Sequence, residues 1–450
     1  RRSSSAASDV YKRQFILLLI VGFGLFAWNI QFIRQNINLG KDLDRSDQKS
    51  KRLKTMLLVA FGQQKMFQRI LPAIFHLFIY LAFLLTSTEL IEIIVDGVFG
   101  IHRFFHPYLG SLYTLIISTI ELLSVLAFVA TLVFLARRNL LKVPRFQMSE
   151  MSGWPKLDGN IILYLEIVLL ICVFTMNGAD EALYLQGESH LTGVGTFGFL
   201  VSSSTGPLFF NSFDVETLHI LERIGWWGHI LVVFAFLNYL PISKHFHIIM
   251  AFPNTYYSNL NNKGGLTNLS AVKEEVTKMF DPNFDPYAAP SDGEAGMPER
   301  FGAKDVEDLT WKNLMDSYSC TECGRCTSAC PANQTGKKLS PRKIMMDTRD
   351  RLDELGRAKR KNGKDYHDGK SLLGDYVSEE EIWACTSCNA CVQECPVNID
   401  PLSIIIDLRR YAVMEESKVP SELAGMLTNI ENNGAPWQFA QADRFKWAEE

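Results

Sequence analysis

The sequence lacks the motifs that mark several common classes of enzyme. In its 450 residues no nucleotide-binding glycine motif in a strand–turn–helix context and no nucleophile elbow is apparent. An independent hydride-transfer or hydrolytic enzyme is therefore not indicated. The formal net charge is −4, and such a chain has no whole-molecule attraction to nucleic acid. We therefore expect no nucleic-acid partner.

Cysteine is nearly absent from the first half of the chain. Eight of the nine cysteines follow residue 250, and only Cys172 precedes them. Residues 15–250 hold nearly all the long apolar runs, whereas residues 251–450 are polar and charged. The chain is therefore expected to have a membrane half and a soluble half. Cys172 itself is expected to be a small buried hydrophobe.

The first fourteen residues stand apart from the rest. The stretch SSAASDVYKRQ, residues 4–14, resembles the in-frame translation of a sequencing adapter fused to a truncated reading frame. The alternative is the basic start of a signal peptide, because four basic residues precede an apolar run. We expect residues 1–14 to be such an artefact, so that the native N-terminus is missing.

Five apolar stretches are long enough, or nearly so, to cross a bilayer core about 30 Å thick, which takes roughly 20 helical residues. They lie at residues 15–33, 70–94, 108–135, 161–177 and 218–242. The fourth is short and is expected to extend past Asn177. The sequence thus predicts five transmembrane helices.

The basic residues predict the orientation of these spans. Seven Lys and Arg residues follow the first span and five follow the third, but none occurs between Leu157 and Glu222. Because short cytoplasmic loops are rich in Lys and Arg, the first, third and fifth spans should run from outside to inside. The N-terminus is then outside, and the tail after Met250 is cytoplasmic. The expected location is the bacterial cytoplasmic (inner) membrane.

Two cysteine runs carry the clearest chemical signal. CTECGRCTSACP begins at Cys320 and CTSCNACVQECP begins at Cys385. Both read C-x2-C-x2-C-x3-C-P, the spacing that binds [4Fe–4S] clusters in bacterial two-cluster ferredoxins, where the fourth cysteine crosses to the other cluster. The predicted ligand sets are Cys320, Cys323, Cys326 and Cys395 for one cluster, and Cys385, Cys388, Cys391 and Cys330 for the second.

Zinc and disulfides are the alternatives for these cysteines. Zinc sites use pairs of C-x2-C, which a doubled four-cysteine run ending in proline fits poorly. Disulfides are disfavoured on the cytoplasmic side, where thiols stay reduced. Two [4Fe–4S] clusters are therefore the preferred interpretation.

The residues around the cysteine runs predict a helical domain. Residues 340–355 and 401–415 each have helical periodicity and an early proline. The basic run at residues 357–364 is expected to be a solvated loop, with a docking surface for an acidic partner as the alternative. The predicted fold is mainly α: a five-helix transmembrane bundle at 15–250, a linker at 251–305 and a cytoplasmic α-helical two-cluster ferredoxin domain at 306–450.

Histidines inside the spans suggest a haem. His76 and His229 lie in the second and fifth spans, where ionisable residues are costly and usually functional. Two imidazoles on facing helices are a usual ligand pair for haem b. The helix bearing His76 is expected to begin before Met56, which places His76 near mid-membrane.

The other histidines and the acids in the spans leave more than one interpretation. His229 and His247 are 18 residues apart, so one continuous helix would place them on the same face, at depths about 27 Å apart. His247 and His245 are candidates for a second haem or for a quinone site. The alternative for all these histidines is hydrogen bonding between helices. Four histidines in outer loops or at a helix edge are not expected to be ligands: His102, His106, His190 and His219. Four acids could relay protons to a quinone or pair at helix ends: Glu89, Glu92, Glu121 and Glu166.

The chain resembles two known families. Its membrane half is similar to the gamma-subunit (cytochrome b) family of respiratory nitrate reductase, over GQQKMF at 62–67 and SKHFH at 243–247. Its cysteine half is similar to the C subunit of heterodisulfide reductase, over both cysteine runs. Fused chains of this kind are known as heterodisulfide-reductase-related membrane Fe–S proteins.

The resemblance implies particular cofactors and partners. It matches His76 and His229 to one haem pair and His247 to a ligand of the other haem. Met66 stands where the cytochrome family has the partner histidine, which leaves one haem expected and the second in question. Members of this kind exchange electrons with menaquinone beside a catalytic subunit that bears CCG-type cysteine motifs, and this chain has no adjacent cysteine pair.

The predicted function is that of a membrane-bound electron-transfer subunit. It would pass electrons between a cytoplasmic redox partner and the pool of menaquinone or another quinone, through two [4Fe–4S] clusters and haem b. Substrate catalysis would lie in a partner subunit. One alternative is a self-contained quinone oxidoreductase that takes electrons from an electron-transfer flavoprotein. The other is a haem-free membrane redox sensor.

Overall fold

The computed structural model describes residues 2–101, 103–187, 199–262, 264–282 and 300–449. These residues are mostly helical, and their only β pairing is two isolated bridges, Lys41 with Thr310 and Leu373 with Val377. The prediction of a mainly α fold is confirmed.

The part of the chain up to residue 256 contains the long apolar helices. Its helices are α1 Arg2–Ile37, α2 Lys49–Met56, α3 Ile70–Phe99, α4 His106–Leu109, α5 Ser111–Asn139, α6 Trp154–Leu185, α7 Ser202–Phe210, α8 Val215–Tyr239 and α9 His247–Tyr256. Five segments are long and apolar enough to cross a membrane: Tyr11–Ile37, Ile70–Phe99, Ser111–Asn139, Trp154–Leu185 and Val215–Ile242. The prediction of five spans is confirmed, and the fourth does extend past Asn177.

The remaining helices are shorter and more polar. They are α10 Ser270–Met279, α11 Trp311–Ser319, α12 Arg325–Ser328, α13 Pro331–Gln334, α14 Pro341–Asn362, α15 Glu379–Ala384, α16 Ala390–Glu394, α17 Pro401–Met414 and α18 Ser421–Asn433. The Ser340 hydroxyl accepts a hydrogen bond from Lys343 N at the start of α14, and Asp400 accepts one from Ser403 N at the start of α17. Both helices predicted after the cysteine runs are therefore present, with side-chain caps.

One expectation about the soluble half needs correction. The basic run expected as a solvated loop is largely helical, because α14 continues through it to Asn362. The stretch expected as a linker contains α10, and its residues 283–299 lie outside the described residues. The predicted domain bounds stay a prediction.

The helix that carries His76 begins later than expected. A π-helical turn follows α2, and Gln63 then adopts a left-handed conformation with φ 51°. Such a conformation is unfavourable for a non-glycine residue and interrupts a right-handed helix. After a short 3₁₀ segment, α3 begins at Ile70. The expectation of a helix starting before Met56 is wrong, and His76 lies only about two turns inside α3.

The helix that carries His229 is also interrupted. It ends at Tyr239 and is followed by a 3₁₀ turn that contains Pro241. Ser243 is then extended, with φ −120° and ψ 161°, and α9 begins at His247. Proline cannot donate the backbone hydrogen bond that a continuous helix needs. His229 and His247 therefore do not share a face of one helix, contrary to the expectation.

The chain forms two compact units. The first comprises Arg1–Arg34, Lys54–Pro253 and Thr321–Cys323, and the second comprises Gln35–Leu53, Asn254–Cys320 and Gly324–Glu450. In the first unit α6 and α8 approach closely at Gly225, where an added Cβ would lie 2.7 Å from the backbone nitrogen of Met176. Cys172 belongs to the same contact and is half-buried.

The segment after the first span is built into the second unit. The Asn36 side-chain amide donates to Tyr318 Oη at 2.8 Å and to Asp353 Oδ1 at 3.2 Å. Further along, Trp311 Nε1 donates to the carbonyl of Leu43 at 3.0 Å. The basic segment 35–53 thus belongs to the same unit as most of the cysteine-bearing chain.

Candidate metal centres

The two cysteine runs follow the same backbone path. In the first, Glu322 and Gly324 have φ values of 53° and 70°. In the second, Ser387 and Asn389 occupy the same two positions with φ values of 55° and 61°. Left-handed residues between successive cysteines turn the chain sharply, and glycine and asparagine tolerate this conformation best. The sequence repeat is therefore also a repeat of local structure.

The cysteine side chains are partly shielded and partly hydrogen-bonded. Four of the eight are buried: Cys320, Cys330, Cys391 and Cys395. Ser387 N donates to Cys385 Sγ at 3.4 Å, and Ile399 N donates to Cys395 Sγ at 3.3 Å. Backbone N–H groups directed at sulfur stabilise a thiolate, and such bonds tune the potentials of iron–sulfur clusters.

Cys330 ends the first run but lies near the second. Burial raises the pKa of the Cys385 thiol, and the neighbouring Cys330 and Cys388 raise it further. Burial likewise raises the pKa of the Cys391 thiol, with Asp400, Cys385 and Cys330 adding to the effect. The same proximity is expected of a cysteine that crosses to the other cluster.

Arg409 supplies a positive charge beside the second run. Its Nε donates to the carbonyl of Ile382 at 2.8 Å, and its Nη2 donates to the carbonyl of Cys385. The guanidinium also stacks over the Trp383 ring, 5.1 Å from its centroid. A fixed cation near a cysteine favours the thiolate form that binds metal.

The donor set fits a cluster better than a single ion. In the part of the chain that the structure describes, no three His, Cys, Asp or Glu side chains are close enough to hold one metal ion. The thiolates of a [4Fe–4S] cube bind different irons at its corners, so they are spaced more widely than the ligands of one ion. The preference for a cluster over zinc rests on the spacing of the cysteines in the chain.

Three histidines meet near the start of α3. The ring centroids of His76 and His247 are 6.4 Å apart, and those of His247 and His245 are 5.5 Å apart. Burial lowers the pKa values of His245 and His247, which favours the neutral imidazoles that bind metals. This histidine cluster comprises His76, His245 and His247, and the sequence alone does not indicate that these three come together.

Two members of the histidine cluster are oriented by oxygen acceptors. His76 Nδ1 lies 3.1 Å from Gln63 Oε1, and His247 Nδ1 lies 3.1 Å from the carbonyl of Lys244. These oxygens only accept, so Nδ1 carries the proton and Nε2 is the basic nitrogen in each ring. Metal-bound histidines usually have this arrangement. Gln63 is a functional candidate that sequence reasoning missed, although it lies in the GQQKMF stretch.

His229 and Met66 are the other two residues that the sequence analysis considered for haem ligation. His229 is buried on α8, and its Nδ1 has no hydrogen-bond partner among the described residues. A buried polar nitrogen without a hydrogen-bond partner is unfavourable, and such a nitrogen usually binds a ligand or a water molecule. Met66 is half-buried in the 3₁₀ turn that precedes α3.

Lys244 and Glu322, which both belong to the first unit, form a buried ion pair. Lys244 Nζ lies 2.5 Å from Glu322 Oε2 and donates to the carbonyl of Pro155 at 2.6 Å. Asp158 Oδ2 is 3.7 Å away, and Tyr239 Oη donates to Asp158 Oδ1 at 2.7 Å. Lys244 directly precedes His245, and Glu322 lies between the first two cysteines. Sequence reasoning missed this pair, because nothing local links the two positions.

The acidic residues of the spans lie in two different surroundings. Glu89, Glu92 and Glu121 belong to one buried polar cluster, whereas Glu166 is half-buried on α6. Two of the histidines excluded as ligands, His102 and His190, lie outside the described residues.

Comparison with known proteins identifies the cysteine region. Residues 319–399 match the 4Fe-4S dicluster domain family. The C subunit of the Ferredoxin/F(420)H(2)-dependent CoB-CoM heterodisulfide reductase of Methanosarcina acetivorans is 35% identical over 24% of this chain and 52% of its own length. The chain therefore carries a [4Fe–4S] domain similar to the C subunit of heterodisulfide reductase.

Two other relatives match nearly the whole chain. It is 28% identical over 97% of its length to the probable iron-sulfur-binding oxidoreductase FadF of Bacillus subtilis. It is 27% identical over 91% of its length to the EtfAB:quinone oxidoreductase of Syntrophomonas wolfei. The chain spans 60% and 55% of the lengths of these two relatives. No solved structure gives a significant match. The protein is thus a membrane protein with an iron–sulfur domain.

Proposed function

We propose that this protein transfers electrons between a cytoplasmic redox protein and the quinone pool, through two [4Fe–4S] clusters and haem b. The observation that carries the proposal is the pair of cysteine runs with matching backbone paths and with Cys330 beside the second run. Five apolar helices precede these runs in the chain. Relatives similar over nearly the whole chain are named as an iron–sulfur oxidoreductase and a quinone oxidoreductase.

Each cluster takes three ligands from one run and the fourth from the other. The first set is Cys320, Cys323, Cys326 and Cys395, and the second is Cys385, Cys388, Cys391 and Cys330. The proximity of Cys330 to Cys385 and Cys391 supports the second set. Crossed ligation keeps two clusters close together, which suits the transfer of single electrons.

Haem b is held by His76 and His247. Their ring contact and the orientation of both Nδ1 atoms support this pair. The resemblance to the cytochrome family instead pairs His76 with His229, whose unpartnered Nδ1 leaves room for a role. When bound, the haem supplies a one-electron carrier. Gln63 and the Lys244 carbonyl hold the two imidazoles in the tautomer that presents Nε2.

An electron-transfer flavoprotein is the proposed electron donor. The name of the EtfAB:quinone oxidoreductase refers to such a donor, and similarity to it extends over 91% of this chain. A catalytic partner subunit of the heterodisulfide reductase kind is the second candidate. Similarity to the C subunit of heterodisulfide reductase supports it, but extends over only 24% of the chain.

The soluble part lies on the cytoplasmic side of a bacterial cytoplasmic membrane, with the N-terminus outside. The distribution of Lys and Arg among the short loops supports this orientation. The basic segment 35–53 also belongs to the unit that contains most of the cysteine-bearing chain. Both observations point to one cytoplasmic assembly that contains this segment and the clusters.

The test is a cofactor analysis of the full chain purified from membranes. We expect about eight irons and eight sulfides per chain, and a b-type band in the dithionite-reduced minus oxidised spectrum. The band should disappear in His76→Ala, while the iron–sulfur absorbance stays. A wild-type protein with intact iron–sulfur absorbance and no b-type band would contradict the haem and favour a membrane redox sensor.

The donor is tested with the same preparation in lipid nanodiscs. Reduced electron-transfer flavoprotein should drive the reduction of menadione at a rate that depends on the protein. If this rate equals the protein-free background while a subunit with CCG-type motifs co-purifies, the second donor candidate replaces the first.

A further inference from the structure

A second buried polar site lies in the first unit, away from the histidine cluster. Its carboxylates come from the last turns of α3, the middle of α5 and the end of α6, and each is less than a tenth exposed: Glu89, Glu92, Asp96, Glu121, Asp180 and Glu181. Glu89 follows His76 by 13 residues, so it lies about 20 Å farther along α3. The side chain of Arg103 is buried among them. We call this group the carboxylate cluster.

Two of its acids hold the loop that follows α3. Asp96 accepts hydrogen bonds from the backbone N–H groups of Arg103 and Phe104, at 2.7 and 3.1 Å. Glu92 accepts from Phe105 N and from Tyr113 Oη, both at 2.8 Å. Both carboxylates thus have hydrogen-bond donors for both oxygens.

Glu121 and Asp180 are also well satisfied. Glu121 accepts from Val201 N at 2.9 Å, from Ser202 N at 3.1 Å and from the Ser202 hydroxyl. The Asn177 amide donates a further bond to it at 3.2 Å. Asp180 forms an ion pair with Arg103, with 3.0 Å between Oδ2 and Nη2. The Arg103 guanidinium, the cation of this cluster, is therefore already paired with Asp180.

Glu89 and Glu181 differ from the other four. Glu89 Oε1 and Glu181 Oε2 are buried and have no hydrogen-bond partner in the described part of the chain. Their electrostatic neighbours include Glu121 and Arg103 in both cases. A buried charge without a partner costs several kcal/mol and is usually avoided by protonation. These two carboxyls are therefore the ones that hold protons.

A metal ion is a poorer occupant than protons. No group of three acidic or metal-binding side chains close enough for a metal ion occurs in the described residues. The carboxylate cluster also contains its own cation, Arg103, in contact with Asp180 and with Asn177 at 3.1 Å. The ligand that Glu89 and Glu181 can take up and release is thus the proton.

We propose that Glu89 and Glu181 form a proton-exchange site for the quinone chemistry of this protein. Reduction of one quinone to quinol takes two electrons, which arrive singly through the clusters and haem, and two protons. Glu89 and Glu181 each give one proton and become carboxylates, and both regain protons from water. Quinol oxidation uses the same steps in reverse, with the two carboxylates as proton acceptors. This inference rests on the proposed function.

The first measurement detects the protons directly. Redox-difference infrared spectra of the full chain in lipid nanodiscs should contain a carbonyl band of a protonated carboxyl group that shifts in D₂O. The band should weaken in Glu89→Gln and in Glu181→Gln. Glu216→Gln changes an exposed glutamate at the start of α8 and should leave it unchanged. An unchanged band in both cluster variants would overturn the proposal.

The second measurement separates proton transfer from electron transfer. Menadione takes up electrons together with protons, whereas ferricyanide takes up electrons alone. Loss of a general acid or base typically slows a step by about 100-fold or more, so Glu89→Gln should slow oxidation of the dithionite-reduced protein by menadione by that factor. Oxidation by ferricyanide should be unchanged, and Glu216→Gln should alter neither rate. Full menadione rates in both cluster variants would contradict the proposal.

Two further outcomes are distinguishable. If menadione does not oxidise the reduced wild-type protein, the proposed quinone function fails, and the infrared band alone decides whether the site exchanges protons. If Glu89→Gln does not assemble its iron–sulfur clusters, Glu89→Asp replaces it. That variant keeps the carboxyl group and should retain the infrared band at a shifted position. Absence of the band in Glu89→Asp would contradict the role of Glu89.

Discussion

The buried ion pair between Lys244 and Glu322 should control the local stability of the first cysteine run. The two side chains are only 8% and 2% exposed. Substituting Lys244→Met keeps most of the side-chain volume but removes the ammonium group that pairs with the buried Glu322 carboxylate. Breaking a buried pair in this way costs about 3–5 kcal/mol. Asp158 is less affected, because Tyr239 Oη and the backbone N–H of residue 244 still donate to it.

Hydrogen exchange measured by mass spectrometry reports this loss locally. Since each 1.36 kcal/mol is a factor of ten, a loss of about 3 kcal/mol should speed exchange in peptides that contain Glu322 by about 100-fold. The double variant Lys244→Met with Glu322→Gln should recover much of the protection, because removing both charged partners can be nearly neutral. Lys278→Met, which breaks an exposed pair with Glu275, should change exchange by less than about fivefold.

Two results would refute this reasoning. If exchange near Glu322 rises by less than about fivefold in Lys244→Met, the pair contributes no more than a surface salt bridge. If the double variant is as poorly protected as the single one, the lost stability comes from packing around the lysine stem. In that case the charge of Glu322 is not the cause.

Three further predictions concern the clusters, the haem and pH. Cys330→Ser combined with Cys388→Ser should leave about four irons per chain, because both residues serve one cluster; a chemical iron assay near zero would place them on different clusters. The b-type band should vanish in His247→Ala and persist in His229→Ala, and the opposite result in reduced spectra would favour the pairing implied by the resemblance. Burial raises the pKa of Asp347 to about 6, so the folded state binds its proton more tightly than the unfolded state. The free energy of unfolding should therefore fall as pH rises from about 4 to 6. The melting temperature of the wild type should fall over the same pH range, and that of Asp347→Asn should fall less.

Most of the fold could be predicted from the sequence because its signals are local. Apolar runs of more than about 20 residues have few structural alternatives in a bilayer, and the five spans follow from them. The helices after the cysteine runs were also predictable, because Ser340 and Asp400 stand at cap positions just before proline. Cysteine spacing has a similarly direct chemical meaning.

The histidine geometry could not be predicted, because it depends on two interruptions inside apolar sequence. The left-handed Gln63 and the extended Ser243 shift His76 and His247 into contact. Gln63 is not a helix breaker by type, so only the folded environment selects its conformation, whereas Pro241 is a local signal for the second interruption. Lys244 and Glu322 are also distant in sequence, and no periodicity joins them. The geometry of the candidate site thus depends on contacts between distant residues, whereas the helices follow from local sequence signals.

The hydrogen bonds of Asn36 have a consequence for synthesis of the chain. Asn36 ends the first span, but its partners Tyr318 and Asp353 leave the ribosome about 280 residues later or more, at roughly 5–20 residues per second. For that interval Asn36 lacks both of these partners, and four more helices must enter the membrane. The second unit is therefore completed only after the bundle is inserted, so cluster assembly should follow membrane insertion rather than precede it.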